Sequence, residues 1–228
     1  MPTKLFSEQT VQLMSDVLKN EIPFAIFETI YITLLSTALA ILIGLPFGIL
    51  LAAGDKNGVI PLPRWLLSLL NLIINILRSV PFLILMVMVF PLSRLIVGTT
   101  VGTTATIVPL VVAAFPFVAR LVESSLRELD PNIIEAAESM GASPFKIIWH
   151  VMLPESLPST TILGYSAMSG IIGGGGLGQI AINYGYYRYK YGVMLIAVVL
   201  LVIIVQIFQS LGNFLASRCD KRLKAKNS

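Results

Sequence analysis

Between Glu28 and Asp55 the chain carries no charged residue. This apolar run, from about Phe24 to Ala53, is longer than the ~20 residues needed to cross a bilayer core. Lipid offers no partners to backbone N–H and C=O groups, so the run must satisfy them internally as a helix. Comparable stretches follow at about 65–97, 102–119, 156–187 and 191–215. Only 12% of the 228 residues are charged and 56% are hydrophobic, where soluble domains carry about 25% charged residues. One soluble domain of this size cannot bury so much apolar surface. The expected fold is therefore an all-α integral membrane protein with five transmembrane helices.

The second stretch is too long for one straight span. Arg78, Pro81 and Pro91 interrupt it, which predicts a kinked helix or a helix followed by a re-entrant turn. Asp55-Lys56-Asn57-Gly58 reads as the turn before it. The fourth stretch, 156–187, is uncharged throughout and rich in glycine around Gly173–Gly176.

Lys and Arg placement predicts the orientation. With the N-terminus outside, the inner side holds ten cations: Lys56, Arg64, Arg120, Arg127, Lys146 and five in the tail. The outer side holds five: Lys4, Lys19, Arg94, Arg188 and Lys190. Segment 216–228 then reads as a basic cytoplasmic tail beside anionic lipid rather than a nucleic-acid face. Tyr184, Tyr186, Tyr187, Tyr189 and Tyr191 would form an outer aromatic belt, with Trp65 anchoring the inner side. Residues 1–23 lack the pattern of a signal peptide. Val11, Leu13, Met14, Val17 and Leu18 suggest instead an amphipathic helix on the outer membrane surface.

Residues 120–158 interrupt the apolar pattern with nine charged positions, from Arg120 to Glu155. Within this loop, Glu135-Ala136-Ala137 precedes Gly141, and Leu153-Pro154 closes the segment. The pattern predicts two short helices hinged at Gly141. Ser143 is placed as an N-cap and Pro144 at the first helical position. Phe145, Ile148, Trp149 and Met152 share one face of the second helix, an apolar stripe that wants a partner groove.

This loop resembles the EAA loop of ABC-importer permeases in order, spacing and position between spans. Arg78-Ser79-Val80-Pro81-Phe82, Ile107-Val108-Pro109-Leu110, Gly164-Tyr165-Ser166-Ala167-Met168 and Gly175-Gly176-Leu177-Gly178-Gln179 are similar to the methionine-importer permeases within that family. The segment between Pro158 and Gly164 is shorter than the family pattern by about nine residues, over two helical turns. The resemblance implies a type I ABC importer permease domain over 24–215, working as a homodimer in the bacterial inner membrane. It also implies two ATP-binding cassette subunits inside, a solute-binding protein outside, and a small amino acid as substrate. It makes Glu135, Ala136, Ala137, Gly141, Phe145, Ile148, Trp149, Leu153 and Pro154 the residues that couple to the ATPase subunit. Tyr165, Ser166, Met168 and Arg78 become candidates for the translocation path, with Met168 as its gate.

Other chemistries fit less well. One Cys and one His rule out a Cys/His metal cage, and no cofactor is expected. Gly173, Gly175 and Gly178 match G-x-G-x-x-G, but no strand precedes them, and the chain has no Walker A motif. ATP hydrolysis is thus assigned to another subunit, and His150 to a solvated or docking position. Glu28 is placed in the first turn of its helix, where the dipole favours an anion. Arg78 lies near a substrate carboxylate, or pairs with Glu28 or a free helix C-terminus; the Pro81 break favours the structural role. An importer of another small solute stays open, as does a secondary transporter, although the paired intramembrane carboxylates common in that class are not visible.

Overall fold

A computed structural model describes residues 8–55, 58–148 and 175–219. The described residues are helical: α1 (Glu8–Asn20), α2 (Ile22–Ala53), α3 (Arg64–Ser79), α4 (Phe82–Val97), α5 (Thr103–Arg127), α6 (Pro131–Ser139), α7 (Pro144–Ile147), α8 (Gly176–Ile180) and α9 (Tyr191–Cys219). A π-helical stretch, Ala181–Tyr187, continues α8. By length and apolarity α2, α5 and Tyr191–Leu211 of α9 each suffice to cross a bilayer. The fourth expected span falls largely on residues 149–174, outside the described residues.

The long 65–97 stretch breaks sharply. α3 and α4 meet at 115° across Val80-Pro81. Proline at 81 supplies no N–H and disfavours a helical conformation at Val80, and Val80 is indeed extended at φ −78°, ψ 128°. The Ser79 hydroxyl donates to the Asn75 carbonyl at 2.7 Å and the Val80 N–H to Ile76 at 3.3 Å. Two carbonyls of this helix end therefore find local donors.

Two compact units form, and α2, α5 and α9 contribute residues to both. The first takes the described residues within 1–38, 82–112 and 161–209. Its core gathers Val17, Ile22, Ala25, Leu177, Ile180, Tyr184, Val193 and Ala197. The expected N-terminal helix exists as α1, but Val17 is buried in this core. A side chain at Gly192 would meet the Met14 sulfur at 2.8 Å. Part of the apolar face expected on lipid is thus packed on protein. The aromatic belt also loses a member. Tyr184 is buried, its hydroxyl donates to Glu21 at 2.6 Å, and Arg188 lies 4.9 Å above its ring. Tyr186, Tyr187, Tyr189 and Tyr191 remain exposed.

The second unit takes the described residues within 39–81, 113–160 and 210–228. Here α2 and α5 come unusually close. A Cβ at Gly44 would lie 2.7 Å from the Phe115 carbonyl oxygen, and one at Gly48 would lie 2.6 Å from that of Ala119. Small residues every fourth position, Ala40, Gly44 and Gly48, let the backbones approach, the usual device where lipid supplies no hydrophobic drive between helices. Leu51, Ile74 and Ala119 complete the local core, with Phe47, Leu67 and Leu70 packed on it.

Candidate functional site

The Glu135–Gly141 segment folds as its sequence predicts locally. Asp130 caps α6 by accepting the Asn132 N–H at 2.9 Å, and Pro131 occupies the first turn, where a missing N–H costs nothing. The helix ends in a Schellman motif. The Ala142 N–H reaches the Ala137 carbonyl at 3.1 Å, and the Gly141 N–H reaches Glu138 at 2.9 Å. Gly141 sits at φ +75° with no atom within 4 Å of its missing Cβ, so backbone conformation, not space, selects glycine there. Ser143 takes the N-cap position before Pro144, but its side chain makes no capping bond.

The apolar surface differs from the expected stripe. Phe145 is 67% exposed, whereas Ile148 is only 5% exposed and Ile147 is also buried, so both isoleucines pack into the chain. Ile148 is thus buried in the chain instead of lying on an exposed stripe. Trp149, His150, Met152, Leu153 and Pro154 lie outside the described residues. Ala137 is 5% exposed and packs inward, leaving Glu135 and Ala136 outward. Glu135 lies in the second turn of α6, beyond the first-turn benefit of the helix dipole. Sequence reasoning missed Ile133 and Met140. With Ala136 they occupy one face at spacings of three and seven, and Met140 is 82% exposed. That spacing was present in the sequence.

A charged brace stands where α5 feeds this segment. Glu123 is buried and held by Arg120 at 2.5 Å and Arg127 at 3.2 Å on its own helix. Arg120 also donates to Asn71 at 2.7 Å and Asn75 at 2.8 Å on α3. Arg127 reaches Asp55 at 3.5 Å. The buried carboxylate keeps its charge company on both sides, as a buried anion must.

The path candidates Tyr165, Ser166 and Met168 lie outside the described residues. The helix that follows them begins at a tertiary cap. Glu28 accepts the Gly176 N–H at 2.9 Å and also the Thr103 hydroxyl, while the Thr29 hydroxyl accepts the Leu177 N–H at 2.9 Å. Glu28 is thus not in the first turn of its own helix, since α2 begins at Ile22. It serves the first turn of another. Arg78 is exposed in the last turn of α3, where a cation suits the dipole, and forms no ion pair among the described residues. The Ser79 hydroxyl, not Arg78, serves the broken helix end.

Residues 44–224 match the family described as binding-protein-dependent transport system inner membrane component. The chain belongs to this family. It is 46% identical over 226 residues to the probable D-methionine transport system permease protein MetI of Vibrio cholerae, covering 94% of this chain and 97% of that one. It is 41% identical over 164 residues to the methionine import system permease protein MetP of Bacillus subtilis, covering 68% and 74%. Among solved structures, an inward-facing form of the MetNI methionine ABC transporter superposes with a TM-score of 0.83 at 40% identity, covering 95% of this chain and 100% of that chain. The fold is that of a type I ABC importer permease. Membership makes the chain the inner-membrane component of its transport system, partnered by ATP-binding subunits that hydrolyse the nucleotide.

Proposed function

We propose that the chain is the permease of a methionine importer, forming the translocation path as a homodimer served by an outer solute-binding protein. The reading rests on one observation above all. The EAA segment forms a helix, a Schellman turn at Gly141 and a second helix, presenting Glu135, Ala136, Met140 and Phe145 outward. Such an exposed helix–turn–helix surface suits a cleft in an ATP-binding subunit, with Glu135 available to an arginine there. ATP-driven closure of the two nucleotide subunits would draw the paired segments together and open the path outward. The near full-length likeness to methionine permeases supports the substrate. Ser166, Tyr165 and Met168 are assigned to the path, and Arg78 to its wall.

The cationic asymmetry supports an outer N-terminus and an inner tail. An impermeant thiol reagent applied to intact cells should spare Cys219 and label a Tyr187→Cys variant. The functional test is uptake by vesicles reconstituted with the ATP-binding subunits and the binding protein. Methionine should enter with ATP, and Glu135→Ala should uncouple hydrolysis from uptake. Normal coupling in Glu135→Ala and Gly141→Val together would remove the assignment.

A further inference from the structure

We propose that the groove between α3 and the end of α5 is a site for an anionic phospholipid, its phosphate at Arg64 and one acyl chain along α3. A cavity of about 400 Å³ is lined there by Asp55, Arg64, Ser68, Asn71 and Arg127. Its charges are unevenly matched. Arg127 is shared by Asp55 and Glu123, and Glu123 also takes Arg120. Arg64 is exposed and has no ion pair among the described residues. An anion therefore meets one guanidinium with no ion pair among the described residues, with the Ser68 hydroxyl one helical turn away as a further donor.

The rest of α3 suits the tail of such a molecule. Arg64, Ser68, Asn71 and Asn75 form a polar lane at spacings of four, seven and eleven. Beside it runs an apolar lane of the same spacing, Trp65, Leu69, Leu72 and Ile76, and every member is exposed. From Arg64 to Ile76 the helix rises about 18 Å at 1.5 Å per residue, close to the ~15 Å of one leaflet's hydrocarbon. Trp65 stands at the charged end, as an interfacial tryptophan does. Basic pockets between membrane helices hold anionic headgroups by this chemistry. A free anion would use only the charged end and leave the apolar lane uncovered. The leaflet is whichever one lies on the side of the 120–148 segment.

The test is native mass spectrometry of the full chain, purified with its ATP-binding subunits in detergent. The probes are phosphatidylglycerol and phosphatidylcholine with matched acyl chains. One surface cation contributes about 1 kcal/mol toward an anionic lipid, or about fivefold in occupancy. The wild type should retain phosphatidylglycerol over phosphatidylcholine by about that factor. Arg64→Gln should bring the two to parity, Arg64→Lys should keep much of the preference, and Arg94→Gln on α4 should leave it unchanged. Parity in the wild type, or equal loss in Arg64→Gln and Arg94→Gln, would overturn the site. Displacement of the lipid by millimolar inorganic phosphate would identify a free-anion site instead. Release of the ATP-binding subunit from Arg64→Gln with lipid retention unchanged would mean that the groove faces protein, which also overturns it.

Discussion

The backbone N–H of Gly176 donates to the Glu28 carboxylate at 2.9 Å, across 148 positions of sequence. Gly176 and Leu177 are buried, and a buried helix end needs partners from elsewhere for its first N–H groups. Glu28 and Thr29 take the first two. The glycines are a consequence of that approach. Gly176 has φ +73°, and a Cβ on it would lie 2.5 Å from the Thr29 hydroxyl oxygen. Gly175, at φ +79° and ψ −179°, occupies a region open almost only to glycine.

Gly176→Ala should therefore lower stability through both strain and clash. The left-handed backbone alone costs about 1–2 kcal/mol in an L-residue. Thermal unfolding of the detergent-purified complex should show a fall in Tm larger than that for Gly98→Ala. Gly98 also has positive φ, but nothing lies within 4 Å of its missing Cβ. Equal falls would mean that the cap contributes no crowding.

Glu28→Gln keeps an acceptor for the Gly176 N–H, whereas Glu28→Ala leaves two donors without one. The expected order of stability is wild type, Gln, then Ala. The Gly176 N–H is buried, and an orphaned buried donor costs about 1–3 kcal/mol. Measured Tm values in the reverse order for Gln and Ala would contradict the capping role.

The contact of α2 with α5 gives a third test. Gly48→Val would drive a branched side chain into the Ala119 carbonyl and Val122, where even a Cβ would come within 2.6 Å. Overpacking of this kind costs about 1–3 kcal/mol or more. We expect poor accumulation of the variant in membranes, read by immunoblot against an Ile43→Val control on the exposed side of α2.

Phe145 and Ile148 should separate docking from packing. Ile148→Ala removes a buried side chain and should cost about 2–5 kcal/mol of stability. Phe145→Ala should lower Tm by less than Ile148→Ala does, while weakening retention of the ATP-binding subunit on a tagged permease. The opposite pattern would place the docking surface elsewhere.

Glu123→Ala would leave Arg120 and Arg127 facing each other across a vacated, buried position. Breaking a buried pair costs about 3–5 kcal/mol, and the half-exposed Arg127 argues for the lower end. Glu123→Gln should lose less, because an amide oxygen still accepts. A Tm for Ala at or above that for Gln would show that the brace does not stabilise α5.

The sequence determined what one strand of chemistry can carry. Uncharged length made α2, α5 and α9 helices that suit a bilayer, Pro81 broke the long second stretch, and Asp130-Pro131 with Gly141 bounded α6. These are local effects, set by residues within a turn or two of one another. The tertiary structure alone decided the rest. Whether Glu28 serves its own helix or the start of α8 depends on a partner 148 positions away. The same holds for Tyr184 on Glu21, for Val17 in the core, and for Ile148 turned inward while Phe145 stays out. Periodicity marks an apolar face but not what covers it. In a chain this apolar, protein and lipid are equally good cover, so only the packed fold could choose between them.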